Sequence, residues 1–406
     1  MKIVIAIDSF KGCLTSLEAA SAINAGIEAS GTGANVIILP AADGGEGTTQ
    51  ALIDGLGGTY VSLPVTGPLG MPVTARYGIL SDGKTAVLEM AQAAGIPLVP
   101  ADALNPHDAT TFGVGEMIRD GIRRGCRTFL CGIGGSASTD GGTGMLTALG
   151  AAFLKADGTP IAPGIRELNR ITRIRTDAML PELKNCVFRI ACDVKNPLCG
   201  ESGAVYVFGP QKGVRPEECE SLDRKMRHYA DLTAEHFSET GPAGHGRPIR
   251  SAENRSGHYP PRDLRDLPGA GAAGGLGFAF ASYMPHVTLE SGVSMIMDAV
   301  GLDRALENAD LCITGEGQLD AQTAMGKVPA GVACAAKKRG VRVIAFAGSA
   351  AQEAPAACRS VGIDALFPVL RHICTLEEAM DPDTAKRNLS QTAEEVFRLI
   401  KTFRNH

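Results

Sequence analysis

The sequence contains no tryptophan, and aromatic residues make up only 5% of it. That composition argues against a pocket walled by aromatic rings. No uninterrupted apolar run approaches the roughly 20 residues a membrane-spanning helix needs. The opening MKIVIAIDSF offers one Lys and a short apolar run, too little for a signal peptide, and reads as a first strand. No C-x-x-C pair occurs, and the eight His are scattered, which argues against zinc. Eleven cysteines is an odd number, and Cys131, Cys192, Cys312 and Cys334 sit in apolar runs. They read as buried, reduced thiols of a cytoplasmic protein. A net charge of -5 leaves no basic excess to grip nucleic acid. The Walker pattern is absent as well: Gly326-Lys327 is followed by Val and lacks the upstream Gly.

What is present is glycine, 50 residues of it, in a chain of 406. That length predicts two domains. Short apolar runs alternate with helical spacing. Lys2 to Ile7 reads as a strand and Leu17 to Ser30 as a helix, with Thr15 and Glu18 as a capping box. This βα rhythm predicts a parallel sheet covered on both faces. From Tyr60 to Glu89 it gives way to strands joined by Gly-Pro and Asp82-Gly83 turns. Residues 215–238 read as a charged, solvent-facing helix, and 239–268 as a mobile loop. In the last third the βα pattern returns, and the final helix has apolar positions at Leu389, Ala393, Val396, Phe397, Ile400 and Phe403. The expected fold is α/β in two domains. A parallel-sheet domain is built from residues 1–70 and 295–406, and a second α/β domain, residues 71–294, is inserted in it. Two tandem domains are the alternative.

In open parallel sheets, ligands sit at the carboxyl ends of strands, and the polar loops fall there. The stretch 131–145, CGIGGSASTDGGTGM, has six glycines and four hydroxyl side chains between a strand and a helix. Bare backbone lets N–H groups approach an oxyanion, and a helix N-terminus adds more. Gly134, Gly135, Ser136, Ser138, Thr139, Gly141 and Gly142 are therefore candidates to hold phosphates. A tight turn with hydroxyl caps explains the same residues. Asp43, Asp140, Asp193, Glu316 and Asp320 could bind a metal or act as base, or simply cap helices. Lys11 and Lys327 could counter phosphate charge, or lie on the surface. His107 reads as an exposed loop residue. Gly269 to Gly274 satisfies G-x-G-x-x-G but follows no strand, so it fits a dinucleotide site poorly.

Together the stretches IAIDSFKG, ADGGEGTTQA, VTGPLG, VLEMAQAAG, GIGGSASTDGGTGML, ACDVKNPLCG, VFGPQKG, GAAGGLGFA and ITGEGQLDAQTAMGKVPAGVA resemble the bacterial glycerate kinase family of the 2-phosphoglycerate-forming type. The resemblance implies ATP-dependent phosphorylation of D-glycerate with Mg²⁺, in sugar-acid and glyoxylate carbon metabolism. It also implies a flavodoxin-like domain carrying an inserted domain, with the active site in the cleft between them. On this reading Asp193 is the general base, and Lys11 and Lys327 neutralise developing charge. Asp43 and Glu316 hold the metal. Ser9, Asp43, Gly44 and Glu316 meet the substrate, and the Gly134–Gly142 loop holds ATP. Gln318 departs from the family's frequent Arg at its position. The partners implied are small molecules, with neither nucleic acid nor membrane, and assembly into a homo-oligomer is left open. A non-catalytic hydroxy-acid sensor and a nicotinamide dehydrogenase are the competing readings.

Overall fold

The computed structural model describes residues 1–239 and 263–404. Among them, chain order gives β1 (Lys2–Ile5), β2 (Asn35–Ile38), β3 (Gly58–Thr66), β4 (Pro72–Leu80), β5 (Thr85–Glu89) and β6 (Thr128–Gly132). After these come β7 (Ala152–Leu154), β8 (Arg173–Arg175), β9 (Val187–Ala191), β10 (Val287–Glu290), β11 (Leu311–Leu319), β12 (Arg342–Ala350) and β13 (Ala365–Pro368).

The chain divides into two compact units. The first comprises Met1–Asp43, Gln50–Gly57 and Val293–His406, the second Gly44–Thr49 and Gly58–Gly292. The first unit's sheet runs β13-β12-β11-β1-β2 and is wholly parallel. Counted within the unit, that is the order 2-1-3-4-5 of flavodoxin-like sheets. Its interior strand β1, KIVI, is apolar and almost entirely buried, as a strand covered on both faces must be. The helix Ser16–Ala29 starts at Thr15, whose hydroxyl accepts from the Glu18 N–H at 3.2 Å. The Glu18 carboxylate returns the contact to the Thr15 N–H at 3.0 Å. Against this helix lies the C-terminal one, Pro382–Arg404, which buries Leu389, Ala393 and Phe397 completely. The two approach so closely that a Cβ on Gly26 would stand 2.1 Å from the Ser390 carbonyl. Phe403, expected on the apolar stripe, is exposed.

The second unit carries a mixed sheet, β10-β9-β6-β5-β4-β3, parallel from β10 to β5 and antiparallel beyond. Thus the fold is α/β: a flavodoxin-like unit made from both chain ends, with a second α/β unit inserted. The boundary expected at residue 70 is displaced. β3 pairs with β4 along its whole length, from Gly58↔Leu80 to Thr66↔Pro72, so residues 58–70 go with the second unit.

The helix that follows the glycine loop, Thr143–Ala148, is short, and β7 follows Gly150, whose φ of 105° favours glycine. Two local expectations change. The charged helix Cys219–Glu239 is not solvated all round. Leu222, Met226, Tyr229 and Thr233 form a buried stripe at helical spacing. Cys334 is exposed on the helix Val328–Lys338, whereas Cys131 and Cys312 are buried and Cys192 is half-buried; all eleven cysteines are free thiols. Residues 240–262 of the expected mobile loop lie outside the described residues. No described helix is long and apolar enough to cross a membrane.

Candidate active site

In a 2-1-3-4-5 sheet the connections leave the first and third strands in opposite directions, and the carboxyl ends of those strands flank a crevice. Here they are β1 and β11. Beyond β1 the ladder continues to Asp8, whose N–H donates to the Gly315 carbonyl at 2.9 Å. The Ser16 hydroxyl donates to the Ile7 carbonyl at 2.7 Å and accepts from the Ala41 N–H at 3.0 Å. One side chain thus ties together the loops that follow β1 and β2, which carry Asp8 and Asp43. On β11, Gly315 has a φ of 152°, and a Cβ there would stand 1.8 Å from the Phe346 carbonyl. Only glycine lets β11 and β12 lie side by side while Glu316 reaches the crevice.

The crevice is a cleft of about 630 Å³, and its polar side is formed by Asp8, Ser9, Lys11, Asp43, Glu316 and Lys327. Glu316 accepts from the Thr323 hydroxyl at 2.7 Å and pairs with Lys327 at 3.4 Å. Burial raises its pKa, and the contacts with Thr323 and Lys327 oppose the rise. Asp8 is pushed up to about 7, chiefly by burial. The neighbouring charges of Asp43 and Glu316 add to that rise, while the Ser9 N–H, which donates to it at 2.7 Å, and Lys11 oppose it. A carboxylate poised near neutrality has the proton affinity a general base needs. Asp320 also lines the cleft, 4.0 Å from Lys327, and caps the short helix Ala321–Met325, accepting from the Gln322 N–H at 2.8 Å.

Of the residues picked from sequence, Ser9, Lys11, Asp43, Glu316, Asp320 and Lys327 are therefore brought together in the first unit. Gly44, Asp193 and the Gly134–Gly142 loop belong to the second unit. Asp193 follows β9, is exposed, and accepts from the Gly292 N–H at 3.1 Å. Gly44 is buried, where a Cβ would stand 2.5 Å from that of Ala191.

The glycine loop does not present the hydroxyl cradle expected of it. Ser136 is 5% exposed, and Ser138 and Thr139 are fully buried. The buried ammonium of Lys212 donates to the Ser136 hydroxyl at 2.7 Å and to the Ser138 carbonyl at 2.6 Å. Nor is the following helix, Thr143–Ala148, free to receive an anion. The Asp140 carboxylate already accepts from the N–H groups of Gly142 and Gly144, at 3.0 and 3.1 Å, and from Thr111. Gly141 and Gly142 are buried too, while Gly134 and Gly135 remain exposed. Gly274, from the G-x-G-x-x-G stretch, packs on this loop, where a Cβ would stand 2.2 Å from the Ser138 carbonyl. Those glycines thus serve contact within the chain.

Two residues escaped the sequence reading. Asp8 stands directly after the first buried run, so its place at a strand end was a usable signal. Lys212 lies in VFGPQKG, and nothing in that stretch announces that its ammonium is buried.

A parallel-sheet crevice that gathers two lysines and several carboxylates, with Phe10 its one aromatic lining residue, has the make-up of an α/β protein that receives a small anion. Comparison with known proteins carries this further. Residues 3–401 match the glycerate kinase family. The chain is 42% identical to the glycerate kinase of Bacillus subtilis strain 168, over 99% of this chain and 98% of that protein. It is likewise 42% identical to the glycerate 2-kinase of Escherichia coli strain K12, over 93% of each. A crystal structure assigned as glycerate kinase 2 of Salmonella typhimurium LT2 superimposes with a TM-score of 0.86 at 41% identity, covering all of both chains. The chain belongs to the glycerate kinase family.

Proposed function

We propose that the protein transfers the γ-phosphoryl group of ATP to the C2 hydroxyl of D-glycerate, giving 2-phosphoglycerate. The setting proposed is cytoplasmic sugar-acid and glyoxylate metabolism. The observation that carries the reading is the convergence of Asp8, Lys11, Asp43, Glu316 and Lys327 on one cleft of the first unit. Asp8 takes the hydroxyl proton as the oxygen attacks. Lys11 and Lys327 neutralise charge on the moving phosphoryl group and on the glycerate carboxylate. Ser9 helps to hold the acid. Asp193, chosen from sequence as base, is the second candidate for that role. The phosphate-binding part of the Gly134–Gly142 loop narrows to Gly134 and Gly135, the residues of it open to solvent.

The donor set suits Mg²⁺. Asp43 and Glu316 offer hard carboxylate oxygens, and among the described residues no cluster of three or more acidic, His or Cys side chains forms a cage. Kinase Mg²⁺ usually takes one or two carboxylates and completes its shell with phosphate and water. When bound, it neutralises charge on the β- and γ-phosphate oxygens.

The deciding experiment incubates the protein with ATP, Mg²⁺ and D-glycerate and follows the phosphorus and proton spectra. Appearance of 2-phosphoglycerate is the expected result. Formation of 3-phosphoglycerate overturns the choice of hydroxyl, and no transfer overturns the reading as a whole. Asp8→Asn and Asp193→Asn, measured side by side, choose between the two bases by which loses turnover.

A further inference from the structure

The first unit's cleft has two chemically different sides, and phosphoryl transfer to a three-carbon acid uses only one of them. Facing the charged side are Leu370, Leu376 and Met380. These large apolar side chains are 40%, 75% and 37% exposed. They come from the segment that follows β13 and ends in the short helix Leu376–Met380. Thr375 and Glu378 cap the helix reciprocally, at 2.9 and 3.2 Å. Met380 reaches back over the loop after β1, where a Cβ on Gly12 would stand 2.9 Å from its terminal methyl. Apolar surface held open to water beside a ligand site gains free energy only if a ligand covers it. Glycerate carries an oxygen on every carbon and has no apolar face to offer.

We propose that Leu370, Leu376 and Met380 form the subsite for the base of the nucleotide, with its phosphates directed toward Lys11 and Lys327. This rests on the reading of ATP as phosphoryl donor. A planar base needs flat apolar contact on its faces. In a chain so poor in aromatic residues, leucine side chains and a polarisable thioether supply it. The cleft, at about 630 Å³, falls in the range of small-molecule sites and is far roomier than glycerate alone requires.

The test compares ATP with inorganic tripolyphosphate, which shares the charge but lacks the base. Both are titrated calorimetrically, with Mg²⁺, into the unmodified protein and into the Leu376→Ser/Met380→Ser double variant. The expected result is ATP affinity weaker by roughly tenfold or more, with tripolyphosphate affinity and the KM for D-glycerate within about twofold of the unmodified protein. Equal losses for ATP and tripolyphosphate, or unchanged ATP affinity, overturn the proposal. Unchanged ATP affinity with a fall in oligomeric mass identifies the apolar side as a contact between copies instead. If the double variant does not fold, Leu376→Ala, at a mostly exposed position, gives the same ratio with an expected loss of about threefold for ATP alone. Unmodified protein that binds ATP but transfers nothing to D-glycerate removes the kinase reading, while the ratio of affinities still decides the base subsite.

Discussion

Glu316 and Lys327 in the first unit, and Asp140 and Lys212 in the second, are acidic and basic side chains that each stand beside a glycine. Glu316 and Lys327 face a cleft, and the lysine keeps 35% of its side chain exposed. Asp140 and Lys212 are buried, at 0% and 1%, and their hydrogen bonds go to the chain itself. Burial pushes Lys212 down to about 7. The difference teaches that glycine beside charge marks either a place where ligand meets backbone or a place where backbone meets backbone. Only the destination of the hydrogen bonds separates the two.

The comparison is broken most readily at Asp8. Asp8→Asn is expected to lower kcat by about 10²- to 10⁴-fold, with a small change in KM. In the unmodified protein kcat/KM is expected to rise with pH through about 7 and then level off, as the base loses its proton. The same residue destabilises the fold. Unfolded, it releases its proton near the ordinary value of 3.8, and folded near 7, so between these values the folded chain holds more protons and stability falls as pH rises. At pH 8 the Asn variant is therefore expected to melt a few degrees higher, a gain of about 1–2 kcal/mol after allowance for partial exposure. A lower Tm with normal turnover overturns the assignment.

The two lysines should separate next. Lys327→Met is expected to reduce kcat/KM about a hundredfold and leave Tm nearly unchanged. Lys212→Met orphans the buried Ser136 hydroxyl and Ser138 carbonyl, and is expected to cost about 1–3 kcal/mol of stability. Melting curves and steady-state kinetics on both variants check this, and equal Tm losses erase the distinction. The smallest effect is expected from changing Ser136 and Ser138 together to Ala. Because both hydroxyls are buried, the KM for ATP should move by less than about threefold. A tenfold rise would restore the hydroxyl cradle read from sequence.

Much of this was legible in the sequence because it is local. The capping box of Thr15 and Glu18, the Asp82-Gly83 turn and the buried run of β1 depend on neighbours in the chain, and each forms as its residues predict. The gathering of Ser9, Lys11, Asp43, Glu316 and Lys327 followed from the rule that parallel strands deliver their loops to one edge. What was hidden depends on contacts distant in sequence. Lys212 is 76 residues from Ser136, and Gly274 packs on Ser138 from still farther away. The raised proton affinity of Asp8 comes from burial and from carboxylates on the loop after β2 and on β11. The buried stripe of Cys219–Glu239 was readable from its spacing, but the charges between its apolar positions obscured it.

β1 of the first sheet has one neighbour close behind it in the chain and the other more than 300 residues away. During synthesis β1 and β2 emerge early, while β11 follows only after the whole second unit. At ribosomal speeds that interval is on the order of ten seconds to a minute. Throughout it, an apolar strand has one edge open to whatever it meets. The inserted unit can reach its own fold in that time, whereas the unit holding the cleft must await the chain's last quarter. Stalled or C-terminally shortened products should therefore be recognised by holding chaperones through the KIVI strand.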